Sequence, residues 1–234
     1  MTKTGYKFVT ANMKSREGNI TWKLGEWQKH EGNIVPCESG FHACQEPRDA
    51  FENYIYGDRF FIVEARGKIK KENDKFVASE MRLISEVDLK RVSVEWAIYC
   101  ASLVLSIYEK EYPTDNRPRK AIEAAEKWLE NPNEKNRIAA KAAAAAAWAA
   151  AGAAWASWAT AAAAKAADAA AGAADTAAGA AWAGDAAAWA AAEGAAATAW
   201  AAEAAAAKAA DAAWAAEKKQ NTQLKKIIKK WVIE

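Results

Sequence analysis

Apolar and polar positions in residues 1–90 follow a pattern that predicts short β-strands around one helix. Strand-like runs occupy 6–10, 21–24, 40–44, 59–66, 76–78 and 82–87. Pro47 precedes a helical stretch over 48–56, which Gly57 and Asp58 end. Gly67 is expected to open a turn after the hydrophobic run at 59–66. These elements predict a small α+β domain over residues 1–90.

Beyond residue 90 the spacing of apolar positions is helical. An apolar helix is predicted over 94–108, and Pro113 ends it. Pro118 stands at the start of the next helix, 119–130, where its missing N–H costs nothing. From residue 134 onward the chain is predicted to be helical, broken by glycines. Residues 91–234 therefore form an all-α, alanine-rich array or bundle of helices, and the fold class is α+β.

Alanine makes up 53 of the 79 residues between Ala139 and Glu217. It is the best helix former but buries little surface, so such helices are useful only when their backbones pack closely. As one rod the tract would be about 120 Å long, which is improbable for a soluble chain. We therefore expect a turn between helices near Gly172 and Gly179.

Tryptophans in the tract fall on stripes. On a helical wheel Trp148, Trp155 and Trp158 lie within about 80° of one another. The tryptophans of a second stripe lie within about 40° of one another, and acidic residues lie on the same side of the helix. The candidate binding residues on this Trp/acid face are Trp182, Trp189, Trp200, Trp214, Asp185, Glu193 and Glu203. Either the indoles pack on neighbouring helices with their N–H groups on carboxylates, or the face is exposed and binds a partner.

Charge is balanced overall, at +2, but it is unevenly distributed. The alanine tract is acidic, whereas residues 218–234 carry six lysines and one glutamate. This basic tail either folds back onto acidic surface of the protein or meets an acidic partner. The amphipathic spacing of Leu224, Ile227 and Ile228 favours the fold-back. A nucleic-acid partner is disfavoured because the chain has no wide basic field.

The cysteine count and the hydropathy of the chain indicate the cellular compartment in which the protein is expected. Three cysteines are too few, and odd in number, for a disulfide scaffold. No signal-like segment and no bilayer-spanning run is evident, because charged residues interrupt the alanine tract. We expect a soluble, cytoplasmic protein with no membrane partner.

Site-like residues occur in two places. Cys37, His42 and Cys44 lie close in sequence and on a predicted turn and strand. Their spacing does not fit zinc, and no acid is evident to orient a Cys–His pair. A packed turn and strand is the preferred interpretation, with no catalytic residue, metal or cofactor. Arg117 and Arg119 begin a helix, where they either hold an anion or pair with local acids such as Glu123.

Two stretches carry resemblances. The motifs IVPCESGFHACQEP at 34–47 and FFIVEARGKI at 60–69 resemble an uncharacterised domain common in phage and prophage proteins. The motif DxRPRKAIEAA at 115–125 is similar to a family of immunity proteins encoded beside bacterial toxins, over about residues 90–234. The first resemblance implies no known activity. The second implies an all-helical fold and a binding role.

Three functions remain open. The first is a non-enzymatic binding or inhibitory protein in bacterial or phage conflict, of immunity or anti-defence type. Its helices would present a groove or the Trp/acid face to a toxin, a defence component or a small signalling molecule. The second is a nucleotide- or signal-molecule-binding protein, or an enzyme, with its site around His42. The third is a structural or assembly protein of a phage or mobile element, a homo-oligomer.

Overall fold

The computed structural model describes residues 2–16, 20–54, 57–156, 161–179 and 210–233. The strands are β1 Lys3–Val9, β2 Gln28–Lys29, β3 Phe41–Cys44, β4 Arg59–Lys71 and β5 Lys75–Val87. The helices are α1 Pro47–Asn53, α2 Leu89–Glu111, α3 Arg117–Glu130, α4 Glu134–Ala156, α5 Ala161–Gly179 and α6 Ala210–Lys230. An antiparallel sheet followed by a helical region confirms the predicted α+β class.

The chain forms two compact units. The sheet unit comprises Met1–Leu89 and Gln220–Glu234, and the helical unit comprises Lys90–Lys219. The boundary near residue 90 falls where the strands give way to α2. The helical domain was predicted to cover all of 91–234, whereas Gln220–Glu234 groups with the sheet unit.

Four strands of the sheet unit, β5, β3, β1 and β4, pair in a closed ring. Strand β5 pairs with β4 along one edge and with β3 on the other, while β1 pairs with both β4 and β3. All of these pairs are antiparallel. The strands surround an interior of large, fully buried side chains, which are Trp22, Phe61, Phe76, Met81 and Leu83. Removal of these side chains from water is the main stabilising contribution to this unit.

The β4–β5 hairpin is longer than predicted. The expected turn at Gly67 is wrong, because β4 continues to Lys71 and the register shifts between Arg66 and Ile69. Gly67 has φ +79°, and a Cβ there would lie 2.3 Å from the Ser79 hydroxyl oxygen. This glycine therefore forms a bulge within the hairpin instead of ending it.

The C-terminal segment packs on the sheet unit, which confirms the predicted fold-back of the tail. Leu224, Ile227 and Ile228 are buried. The Asn221 side-chain carbonyl accepts the backbone N–H of Arg48 at 3.3 Å, near the start of α1. That N–H has no partner within its own helix, so a side chain from α6 caps α1.

Alanine packing organises the helical unit. Helices α3, α4 and α5 lie against one another, and almost every described alanine of α5 is buried. This confirms the predicted tight contacts between alanine faces. Helices α4 and α5 pack side by side, so the tract is not one rod. The turn expected at Gly172 is wrong, since α5 runs through it. The turn expected at Gly179 falls at the edge of the described residues and stays a prediction.

Helix α2 stands out for its hydrophobicity. In the described part of the chain it is the one helix long and apolar enough to cross a membrane, judged by length and composition alone. However, 61% of its apolar window is buried inside the protein. Such burial is usual for the core helix of a soluble protein.

Candidate functional site

A cavity of about 440 Å³ lies in the sheet unit, between β1, β3 and the start of β5. Its lining side chains include two lysines and one arginine but a single acid, Glu38. The lining residues are Tyr6, Lys7, Phe8, Ser15, Arg16, Ile20, Cys37, Glu38, Gly40, Phe41, His42, Ala43, Cys44, Ala50, Tyr54 and Lys75. The cavity thus combines aromatic walls with an excess of positive charge.

Gly40 sets the start of β3 and with it the position of His42. Its φ is +100°, and a Cβ would lie 2.7 Å from Val77 Cγ2, so a larger residue does not fit. Along β3, Phe41 and Ala43 join the buried core of the sheet unit. His42 and the residue two positions on, Cys44, therefore share the other side of the strand, as the sequence analysis expected.

The His42 ring is held by the loop before β3. The backbone N–H of Cys37 donates to Nε2 of His42 at 2.9 Å. Burial lowers the pKa of His42, and the nearby charges of Lys7 and Lys75 lower it further. The imidazole is therefore neutral near pH 7, with Nε2 as an acceptor. Cys37 itself has φ +63°, a left-handed conformation that is strained for a non-glycine residue.

Lys75 is a fixed cation at the cavity wall. Its Nζ donates to Cys37 Sγ at 3.1 Å and to the Tyr54 hydroxyl at 3.2 Å. Tyr54 in turn donates to Asp74 at 2.6 Å, and Glu72 lies 3.5 Å from the ammonium. The hydrogen bonds to Cys37 and Tyr54 raise the pKa of Lys75. This side chain stays charged throughout the physiological range.

Lys7 has the opposite environment. Its Nζ donates to the carbonyl oxygen of His42 at 2.9 Å and lies 5.6 Å from the Trp22 ring centroid. Burial lowers the pKa of Lys7 to about 8, and the smaller effect of the nearby Cys44 is to raise it. Among the residues that the structure describes, no carboxylate forms an ion pair with it. A desolvated ammonium without a counter-ion is unfavourable, so Lys7 readily gives up its proton or accepts an anion.

Cys44 is buried beside the cavity and is not a nucleophile near pH 7. Desolvation, with Asp49 and Asp74 nearby, raises the pKa of its thiol to about 12. Over the described ranges, no group of three His, Cys, Asp or Glu side chains is placed to hold a metal ion. The structure thus brings Cys37, His42 and Cys44 to one cavity without assembling a metal centre from them.

The predicted arginines lie in the helical unit and form local ion pairs. Arg117 binds Asp115 through its Nε, 2.9 Å from Oδ1, and the same carboxylate accepts the Tyr108 hydroxyl at 2.7 Å. Arg119 Nε donates to Glu109 at 2.7 Å. The hydrogen bonds from Arg117 hold the pKa of Asp115 well below its usual range. The local acids are thus Asp115 and Glu109, not Glu123.

Most of the predicted Trp/acid face lies outside the described residues. This applies to Trp182, Trp189, Trp200, Asp185, Glu193 and Glu203. Trp214 lies in α6. Of the first stripe, Trp148 is 44% exposed on α4. The Trp/acid face stays a prediction.

The site residues that were not predicted from the sequence include Lys7, Tyr54 and Lys75. They reach the cavity from β1, from the segment after α1 and from β5, which are far apart along the chain. Lys7 does carry a signal, because it is a charged residue between Tyr6 and Phe8 in a strand whose next residue, Val9, is also apolar. Nothing local distinguishes Lys75 from the other lysines of the β4–β5 hairpin.

The chain matches two families by sequence. Residues 3–95 are similar to a domain of unknown function (DUF7666), and residues 74–164 are similar to a family of unknown function (DUF6931). The cavity lies within the first match. Comparison with the curated proteins and with the solved structures finds no match.

Proposed function

We propose that the sheet unit binds a small anionic molecule with a planar ring, of the nucleotide or signal-molecule class, in the cavity around His42. The observation that carries this proposal is the lining itself. Two lysines and Arg16 line the cavity with Glu38 as the single lining acid. An anion there gains attraction from several cations in surroundings poorer in water than the surface.

The shape and walls of the cavity suit a ligand of this size. Small-molecule sites are concave, occupy roughly 300–1,000 Å³ and combine apolar walls with a few polar groups. Here Tyr6, Phe41 and Tyr54 supply aromatic surface next to the charged groups. A planar ring would pack on this aromatic surface, while its anionic group would lie near Lys75.

The two lysines would contribute to anion binding in different ways. Lys75 is already oriented by Cys37 and Tyr54, so little side-chain freedom is lost when an anion binds. Lys7 has no counter-ion within the described part of the protein, and an anion would supply one. Binding, not catalysis, is our inference, because the Cys44 thiol stays protonated and His42 is held by Cys37.

The test compares two probes that differ by one phosphate. We expect adenosine 5′-monophosphate to bind the full chain at least about tenfold more tightly than adenosine in isothermal titration, because only the nucleotide carries the anion. Lys75→Met should weaken binding of the nucleotide by about tenfold. Lys29→Met is the matched control, since Lys29 is exposed on β2 and does not line the cavity.

Equal binding of the two probes, or no binding of either, would contradict the proposal. So would a Lys75→Met protein that keeps its fold by circular dichroism and binds the nucleotide as well as the Lys29→Met control does.

The biological setting is a further part of the proposal. The motif at 34–47 resembles a phage domain and the motif at 115–125 resembles an immunity family, and both support a role in bacterial or phage conflict, of immunity or anti-defence type. The low, odd cysteine count supports a cytoplasmic protein. On this view the cavity would receive a small signalling molecule. A toxin or defence component as partner, and a homo-oligomer, stay predictions.

A further inference from the structure

We propose that Lys7 captures its ligand covalently, as an imine formed between Nζ and an aldehyde or ketone group of the anionic molecule bound in the cavity. This inference rests on the proposed function. It adds the chemical class of the ligand, which is a small anionic carbonyl compound. It also gives Lys7 a covalent role in addition to the attraction between its charge and the anion.

The position of Lys7 is the first support. Its side chain lines the cavity, and its Nζ has one hydrogen bond, to the carbonyl oxygen of His42 at 2.9 Å. The Trp22 ring, 5.6 Å away, covers another side. Within the ranges that the structure describes, no carboxylate pairs with this amine, so its lone pair is not tied to a protonated, ion-paired state.

The contrast with Lys75 is the second support. Both lysines line one cavity, but hydrogen bonds to Cys37 and Tyr54 favour the charged form of Lys75 and raise its pKa. Burial instead lowers the pKa of Lys7 to about 8. Neighbouring groups that are held in opposite protonation states commonly have different chemical roles in a site. Here Lys75 holds the anion and Lys7 supplies the neutral amine, which is the nucleophilic form of lysine.

The chemistry balances without a further reagent. The lone pair of Nζ bonds to the carbonyl carbon, and the π electrons of the C=O bond move to oxygen, which takes up a proton as the nitrogen loses one. The carbinolamine then loses its hydroxyl group and the second nitrogen proton as water, and C=N forms. One amine and one carbonyl group give one imine and one water molecule, with no change of oxidation state.

Cys44 does not compete as the attacking group. The pKa of its thiol is raised to about 12 by burial and by Asp49 and Asp74. Near pH 8 it is therefore protonated, whereas a large share of Lys7 is neutral amine.

The test uses pyridoxal 5′-phosphate, an anionic aromatic aldehyde, on the full chain. The protein is incubated with the probe near pH 8, reduced with sodium borohydride so that any imine becomes a stable amine, digested and mapped by mass spectrometry. We expect Lys7 to be labelled about tenfold faster than Lys29, because Lys7 lines the cavity that binds the probe and its lowered pKa supplies neutral amine near pH 8. Lys7→Arg should remove this fast labelling and leave the slow labelling of Lys29 unchanged.

A second probe separates this inference from the proposed function. Pyridoxine 5′-phosphate has the same ring and phosphate but an alcohol in place of the aldehyde. If it binds the cavity while the aldehyde labels lysines evenly, the anion site stands and the imine is overturned. Failure of both probes overturns both. Binding of the alcohol together with fast labelling at Lys7 supports both.

Discussion

Lys7 and His42 are joined by a hydrogen bond from the Nζ of the lysine to the carbonyl oxygen of the histidine, 2.9 Å long. The bond links β1 to β3 at the wall of the cavity, where β1 and β3 meet through the Tyr6–Cys44 pair. It places beside a neutral imidazole an amine that pairs with no carboxylate of the described residues. Both the anion site and the imine depend on this placement.

Replacing Lys7 should stabilise the protein at neutral pH. The folded-state pKa of Lys7 is about 8, below the ordinary value of 10.5. Between these values the unfolded chain binds more protons, so wild-type stability rises with pH there, and the full penalty of the desolvated charge applies below pH 8. Lys7→Met should therefore raise the free energy of unfolding by about 1 kcal/mol near pH 7.

Urea denaturation near pH 7 and near pH 10 checks this prediction. The advantage of Lys7→Met should shrink at the higher pH, while Lys29→Met should show no comparable change between the two conditions. A Lys7→Met protein that is less stable than wild type at both pH values would show that Lys7 has no desolvation penalty.

The tail of α6 should contribute to the stability of the sheet unit. Leu224 is 0% exposed, so Leu224→Ala removes buried methyl groups and leaves a cavity. We expect a loss of about 2–4 kcal/mol in the free energy of unfolding. Lys226→Ala is the control, because Lys226 is exposed two residues further along the same helix. Equal denaturation midpoints for the two variants would mean that the tail does not pack as described.

Alanine on α5 should resist enlargement. Ala170 is 0% exposed in the cluster that α4 and α5 share. Ala170→Leu should cost about 1–3 kcal/mol, because a close contact between helices has no room for a larger side chain. Ala149→Leu, at an exposed position of α4, should be nearly neutral. Thermal unfolding of both variants measures the difference, and equal melting temperatures would contradict the close packing.

Thiol reactivity should distinguish the cysteines. Cys37 is exposed, whereas Cys44 and Cys100 are buried. A pKa of about 12 further suppresses the thiolate of Cys44 near neutral pH. In the native protein an Ellman titration should therefore count one fast thiol, and Cys37→Ser should abolish it. Fast reaction of two or three thiols before denaturant is added would contradict the burial of Cys44 or Cys100.

Much of the fold follows from local sequence patterns. The runs around Phe8, Phe41 and Phe61 became strands, and the alanines of α4 and α5 that the structure describes lie in closely packed helices, because propensity and periodicity agree there. The sequence did not show that 75–87 is one strand, since Ser79 and Glu80 interrupt its apolar pattern. It also did not show that Gly67 forms a bulge, which depends on the opposing Ser79.

The candidate site was half visible in the sequence. Cys37, His42 and Cys44 are close along the chain, so their clustering could be recognised. Lys7 and Lys75 meet them only after the sheet has closed, and closure depends on strand pairings between distant residues. The opposite protonation tendencies of the two lysines arise from the burial of Lys7 and from the hydrogen bonds of Lys75 to Cys37 and Tyr54, which no local pattern reports.

The most direct test of the cavity as the binding site is a titration of the ¹⁵N-labelled full chain with adenosine 5′-monophosphate, followed by amide chemical shifts. The account predicts that the largest shift changes fall on residues 37–44 and on Lys75. The account would be contradicted if the largest changes fell on Arg117 and Arg119 instead. It would also be contradicted by a spectrum that is unchanged at about 5 mM nucleotide, because binding would then be weaker than roughly 3 kcal/mol.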